Sequence, residues 1–507
     1  MPTGTTREIS TFKGQERRLR ADRIGLAGLL LSVVAANAPL MVTAGVMATT
    51  YGTMGIVGQP LLFVILGVVL TLFSFGYAEM SRHVHNAGAF YAYIARGLGG
   101  TAGAAASVVA LVAYSALQFG IYGIFGFELS GLLDKHLGVS VAWWVPAFAA
   151  VLAVGVLGWL KVDLNAKVLG VLLLIECVTV VVFDVAGLGS PGPEGLSFRA
   201  FDPATLGTGG LGTALCFTIA AFVGFEQAAV YAEETSRPQV VVARVTFLAV
   251  GFVAAFFALS SWVLGVAAGP GKVVGLAREQ GPNLLFELSE DRLGGAFADV
   301  MHVFYVTGMF AALLSFHNVV ARYAFAMGRE GLLPAAMGRT TKGSGAPAHG
   351  SLLQSGVSVL AVLVFALTDD APNGDPTAPI GRLFTWTGNV GALGIIVLMS
   401  ATSAAVIAFF IRRGAARAQA PRLVASGAAG LALLVIACFA VKDFDMLLGA
   451  DPGSSPRWIL PGIIGAAVVG GIVFGIVLKY VRPGVHGSIG LGNEAFQLEK
   501  AATAAAG

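Results

Sequence analysis

The sequence predicts an all-α, polytopic membrane protein of about twelve transmembrane helices, and three observations carry that prediction. Of its 507 residues 56% are hydrophobic and only 12% charged, about half the ~25% charge of a soluble domain. Apolar runs near or above the ~20 residues that cross a bilayer recur along almost the whole chain. These runs are continuous rather than alternating, so they read as helices, which satisfy their own backbone in lipid, and not as barrel strands.

The runs place spans at 26 to 49, 58 to 80, 101 to 127, 141 to 160, 167 to 187, 208 to 232, 243 to 267, 296 to 321, 351 to 368, 382 to 411, 422 to 441 and 458 to 480. Residues 1–24 are a polar, basic tail, and the apolar run behind it exceeds the ~7–15 residues of a signal-peptide core, so the first span is expected to stay as an anchor. Residues 25–411 then form a ten-helix core, 412–480 add two spans, and 481–507 form a second tail. With both tails assigned to the cytoplasm, 23 of the 31 Lys and Arg residues fall inside and 8 outside. That asymmetry predicts a multi-pass protein of the cell membrane with both termini cytoplasmic and an even number of spans. In the outer connection 268 to 295, Asn283-Leu284-Leu285-Phe286-Glu287-Leu288 predicts a short amphipathic helix, either an outer lid or a folded surface loop.

Several function classes are disfavoured. A net charge of +3 is too small for a nucleic-acid partner and its placement follows membrane orientation. Cys177, Cys216 and Cys438 lie in apolar runs without metal-ligand spacing, and His83-x-His85 stands alone at a span end. No HExxH occurs, and the stretch Gly265 to Lys272 fails the phosphate-loop pattern because Val266 and Val273 occupy its defining positions. No cofactor or metal is expected, and an enzyme or an open channel is a weaker reading than a closed binding site.

That site is announced by two breaks. The first span contains Ala36-Asn37-Ala38-Pro39 and then Thr43-Ala44-Gly45, where proline removes a backbone donor and frees carbonyls in mid-membrane. The sixth contains Phe222-Val223-Gly224-Phe225-Glu226-Gln227, polar and small where a lipid-facing helix would carry leucine. Spans one and six are corresponding positions of two five-span halves, about 25–190 and 205–411, the pattern expected of transporters built from inverted repeats. Unwound halves offer helix amino termini to an anionic group and loose carbonyls to a cationic one.

Three motifs then resemble the amino acid-polyamine-organocation superfamily of permeases. They are Ala78-Glu79-Met80-Ser81-Arg82 with Asn86-Ala87-Gly88-Ala89-Phe90-Tyr91-Ala92-Tyr93, the sixth-span Phe222-Val223-Gly224-Phe225-Glu226 followed by Glu233-Glu234-Thr235-Ser236-Arg237-Pro238, and Asn318 to Pro334 after the eighth span. The resemblance implies a five-plus-five inverted repeat with two extra spans, moving amino acids by alternating access. A proton or a sodium ion is the candidate coupling partner. By the same resemblance the substrate carboxylate meets the first span at Ala38, Pro39, Leu40 and Thr43, and its amino group meets the carbonyls of Phe222, Val223, Gly224 and Phe225. The family's Gly-Ser/Ala-Gly motif has two counterparts here, Ala38-Pro39-Leu40 and Thr43-Ala44-Gly45, and both alignments stay open. This departure makes a polyamine or other amine the alternative substrate.

Two glutamates interrupt apolar spans. A charged carboxylate at the bilayer centre costs ~2.5–3.5 kcal/mol, so Glu176 and Glu226 should be neutral, paired or facing a wet cavity, and both are candidate coupling residues. Counting from Asn165-Ala166 puts Glu176 where some proton-coupled members carry a lysine, with the charge reversed. Glu226 follows the sixth-span break, where it would bind protons, shape the unwound backbone or tie neighbouring helices. Tyr114, Gln118, Tyr122, His302, His317, Trp386 and Asn389 are the other polar groups singled out. Gln118 and Tyr122 share a helix face at i, i+4 and are read as cavity-lining or as interhelical ties, and Trp386 as an interfacial anchor.

Overall fold

The computed structural model describes residues 19, 24–159, 162–207, 211–341, 345–368, 379–448 and 455–492, without the side chains of 162–166 and 168. Most of the expected amino-terminal tail and residues 493–507 lie outside them. Ten helices among the described residues are long and apolar enough to cross a membrane, and two shorter apolar ones, Trp144–Leu157 and Leu211–Phe222, stand where spans 4 and 6 were expected. The chain order is therefore span 1 at Leu26–Gly52, span 2 at Gln59–Ser81, span 3 at Gly100–Leu137, the short span 4, span 5 at Val162–Gly189, and the short span 6. Spans 7 to 12 follow at Pro238–Ala268, Gly295–Glu330, Ala348–Thr368, Pro379–Arg412, Ala420–Lys442 and Pro456–Val481. Among the described residues the sole extended pairing is an isolated bridge between Ile24 and Thr235.

Burial ranks the spans from centre to edge. In its most apolar window span 1 is 89% buried, whereas spans 9 and 12 are 28% buried, so the broken first helix is the axis and the late spans form the outer wall. That wall exposes Leu360, Leu367, Val424, Leu431 and Val469, a surface that lipid covers at no cost. Helices draw together where small residues let backbones touch. A Cβ on Gly97, in the short helix Ala89–Leu98, would overlap the backbone of Ala405 in span 10.

Spans 3 and 8 run 38 and 36 residues, roughly 55 Å at ~1.5 Å per residue, and so project past a ~30 Å hydrocarbon layer. The sequence reading ended span 8 at residue 321. The helix instead continues to Glu330, since Arg322 and Arg329 find buried partners in the fold. Arg322 grips Glu234 with Nε to Oε2 at 2.5 Å and Nη2 to Oε1 at 3.1 Å, and Arg329 grips Glu233 through Nη1 and Nη2 at 2.8 and 2.6 Å. Beside them the buried Glu330 carboxylate accepts from Asn86 Nδ2 at 2.6 Å and from the amides of Gly490 and Gly492, each at 2.9 Å. The chain after span 12 is thereby pinned to the end of span 8.

In the connection after span 7 the predicted amphipathic segment is a helix, Asn283–Leu293, preceded by a second, Val273–Gln280. Leu284, Leu285 and Phe286 face inward. Arg278 Nε donates to Gly52 O at 2.8 Å, which ties this connection to the end of span 1.

Overpacking a tight backbone contact costs ~1–3 kcal/mol or more. Gly97→Val is therefore expected to lower the melting temperature in detergent, while Gly251→Val, beside which a Cβ would meet nothing within 4 Å, should leave it nearly unchanged. Equal melting temperatures for the two variants would contradict the packing described.

Candidate substrate site at two broken helices

Span 1 stops being an α-helix at Ala35 and restarts at Pro39. Ala38 between them has φ 42°, a left-handed conformation that costs an L-residue of order 1 kcal/mol and persists only when its surroundings impose it. Pro39 then opens the second half, where its missing N–H is no loss. A wider turn follows over Val42–Val46. Thr43, expected to meet substrate, here donates its hydroxyl to Pro39 O at 2.8 Å. Gly45 is buried, yet a Cβ on it would meet nothing within 4 Å, so open interior space lies beside it.

Span 6 is α-helical only to Ile219, tightens through Ala220–Phe222, and unwinds at Val223 and Gly224. The second half was expected as helix to residue 232; it is instead a tight 3-10 turn over Phe225–Ala229 followed by turns to Glu234. Gly224 has φ 133°, and a Cβ there would lie 2.9 Å from Val33 O and 3.0 Å from Ala36 Cβ. Only glycine satisfies both the conformation and the approach. The two breaks therefore touch.

Asn37 stitches them. Its side-chain amide donates to Ala221 O and, at 3.3 Å, to Val223 O, so carbonyls freed by the sixth-span break are met by a donor from the first. The Gly224 carbonyl accepts from Gln227 N at 2.9 Å, and Ser315 of span 8 donates to Gln227 Oε1 at 3.1 Å and to Ser32 O at 3.4 Å. Phe222 and Phe225 pack their rings against Phe63 and Phe73 of span 2.

Both glutamates reach this junction. Glu226 turns back on its own break: Oε2 accepts from Gly224 N at 2.9 Å and Oε1 from Tyr114 OH of span 3 at 2.7 Å. Its backbone carbonyl accepts from Tyr77 OH at 2.8 Å. Glu176, from span 5, accepts the Leu40 amide at 3.1 Å on Oε2. Leu40, expected to give that amide to a substrate carboxylate, thus gives it to the protein's own.

Gln118 and Tyr122 lie outside this contact. Gln118 Nε2 donates to Tyr122 OH at 3.1 Å and to Leu313 O at 3.3 Å, and Gln354 Nε2 donates to Gln118 Oε1 at 2.7 Å. This buried network joins spans 3, 8 and 9. His317 is tied to Ser351 Oγ at 2.7 Å and His302 to Glu128 at 2.7 Å, both between spans. Among the described residues no cluster of three or more His, Cys, Asp or Glu could hold a metal ion.

Sequence reasoning passed over three groups. Asn37 lies within the first break, and its polar side chain two residues before Pro39 was the available signal. Asp184, directly after the apolar run Val180 to Phe183, is buried and accepts from Ser260 Oγ of span 7 at 2.7 Å. Gly308 in span 8 leaves room for the Glu176 carboxyl group, which a Cβ at that position would overlap.

Among the described residues the ten long apolar helices and two shorter ones thus form a bundle in which the first and sixth spans unwind against each other. The sequence profile of the amino acid permease family, part of the amino acid-polyamine-organocation superfamily, matches residues 28–477. The chain belongs to that family. No curated protein matches it.

Replacing Asn37 by alanine leaves two buried carbonyls without their donor, and a buried polar group left unpaired costs ~1–3 kcal/mol. Asn37→Ala is expected to lower the melting temperature and to lower uptake at the same time. A variant as stable as the parent would show that the stitch does not hold the breaks together.

Proposed function

We propose that this permease is a secondary active transporter that moves a small solute bearing an ammonium group, an amino acid or a related amine, by alternating access at the junction of spans 1 and 6. The observation that carries the reading is the direct contact of two unwound segments inside an apolar bundle. Backbone polar groups are exposed there at a cost that only a ligand site or a compensating side chain offsets. Residues 25–190 and 205–411 are read as the two repeats that rock against each other, with spans 11 and 12 packed outside them.

In this reading the end of the bundle that carries Arg322–Glu234, Arg329–Glu233 and Glu330 faces the cytoplasm, in keeping with the surplus of positive charge there. Buried, bidentate pairs of this kind are costly to separate, and they would have to rearrange for that side to open. The helices Val273–Gln280 and Asn283–Leu293 would cover the other mouth. Glu226, with both oxygens engaged, holds the sixth-span break in shape. Glu176, with one oxygen engaged, is the better placed to meet a mobile ion or solute.

Two variants and one assay test this. Purified protein in liposomes is expected to take up members of a panel of amino acids and amines in a saturable, counter-transported manner under an imposed proton or sodium gradient. Glu226→Gln puts an amide donor opposite either the Gly224 amide or the Tyr114 hydroxyl, and uptake should fall by about tenfold for a lost charge-assisted hydrogen bond while folded protein is retained. Wild-type uptake and pH response in that variant would remove Glu226 from the machinery. Gly45→Leu should fill the space beside span 1 and block uptake, whereas Gly45→Ala should be as stable as the parent or more so, since alanine favours helix over glycine by ~1 kcal/mol. Normal transport by Gly45→Leu would place the solute elsewhere.

A further inference from the structure

Glu176 stands at the first break with its hydrogen bonding half complete. Oε2 accepts the Leu40 amide, while Oε1 has no partner among the described residues although Glu176 is only 1% exposed. The position is built for a carboxyl group, because on the facing span 8 anything larger than Gly308 would collide with it.

The charge balance of the junction is one-sided. The break segments 33–45 and 219–230 contain no Lys, Arg or His. The second carboxylate, Glu226, is fully occupied by Tyr114 and Gly224. A carboxyl group buried here without a partner either stays neutral or ionises and takes a cation, since burying an unpaired charge costs several kcal/mol. The Leu40 amide belongs to the first turn of the restarted helix, the positive pole where an anionic group of a solute would otherwise settle. A resident carboxylate already fills it.

Resting on the transport reading above, we propose that Glu176 sets the specificity of the site: it supplies from within the protein the carboxylate that the first-span amide would otherwise take from a solute. The site accordingly selects an organic cation with a primary ammonium and no carboxylate of its own. The ammonium pairs with the open Oε1 and neutralises the site. A solute carboxylate would have to displace Glu176 into an apolar interior or lie beside it, and like charges at close range in a low dielectric repel strongly. Glu176 is thus a determinant of which solutes are accepted, distinct from the shaping role of Glu226.

The test uses solute pairs that differ only by a carboxylate: agmatine and arginine, putrescine and ornithine, phenethylamine and phenylalanine. Each is offered to the purified full-length protein in liposomes, and binding is read in parallel as a thermal shift in detergent. The amine of at least one pair is expected to be carried and to stabilise the protein about tenfold more effectively than its amino acid, the scale of one charge-assisted contact. Glu176→Gly, which frees the Leu40 amide, should lose amine uptake and gain uptake of the amino acid. Glu176→Gln keeps an acceptor for Leu40 and the fit against Gly308 but not the charge, and should lose the amine without gaining the amino acid. It serves as the test if the glycine variant does not fold. Amino acids carried as well as or better than their amines by the parent protein, or an unchanged amine preference in folded Glu176→Gln, would overturn the proposal. Movement of neither member of any pair under any gradient would overturn the transport reading beneath it.

Discussion

The structure is organised around one constraint: backbone amides and carbonyls that two interrupted helices release in an apolar interior must each find a partner. An unmet group of this kind costs as much as a lost hydrogen bond inside a low dielectric. The chain meets the requirement from several elements at once. Asn37 of span 1 serves the carbonyls of Ala221 and Val223, Glu176 of span 5 serves the Leu40 amide, and Glu226 with Tyr114 closes the loop around Gly224. Spans 1, 3, 5 and 6 are thereby coupled through the same few atoms, and Ser315 brings in span 8.

A second set of contacts shares that logic at one end of the bundle. Glu233 and Glu234 follow the sixth-span break directly, and both are held by arginines of span 8 that lie beyond the length of a single membrane crossing. Arg322 also lies over the Tyr231 ring at 4.4 Å. Pairing is what allows such charges to be buried, and breaking it is what makes them costly. The unwound segment and the charged end are thus joined by a short run of turns, Val230 to Glu234, with no long helix between them to absorb a displacement.

Much of this was legible in the sequence because lipid imposes a simple rule on composition. Apolar runs of about twenty residues marked the spans, proline after Ala38 marked the first break, and glycine with glutamate in an apolar setting marked the sixth. The sites where local reading fell short share a cause. Span 8 was ended before Arg322, whose partner, Glu234, is 88 residues away. The second half of span 6 was read as helix to residue 232, yet with Gly224 at φ 133° and spans 1 and 3 holding its polar groups, tight turns replace the helix. Asp184 escaped notice although it carries the same signal as Glu176, an ionisable group within an apolar run.

The sequence by itself determined the class of protein, the membrane-spanning helices and the two places where helices break, because each follows from local chemistry: hydropathy, a missing amide hydrogen, a missing side chain. Only the tertiary structure decided what the breaks bind to. Leu40 and Glu176 are separated by 136 residues and Asn37 and Ala221 by 184, and no local rule pairs groups at such distances. Those partners follow from the packing of spans 1, 5, 6 and 8 around one another, which places a resident carboxylate on an amide that sequence comparison alone would have left open for a solute.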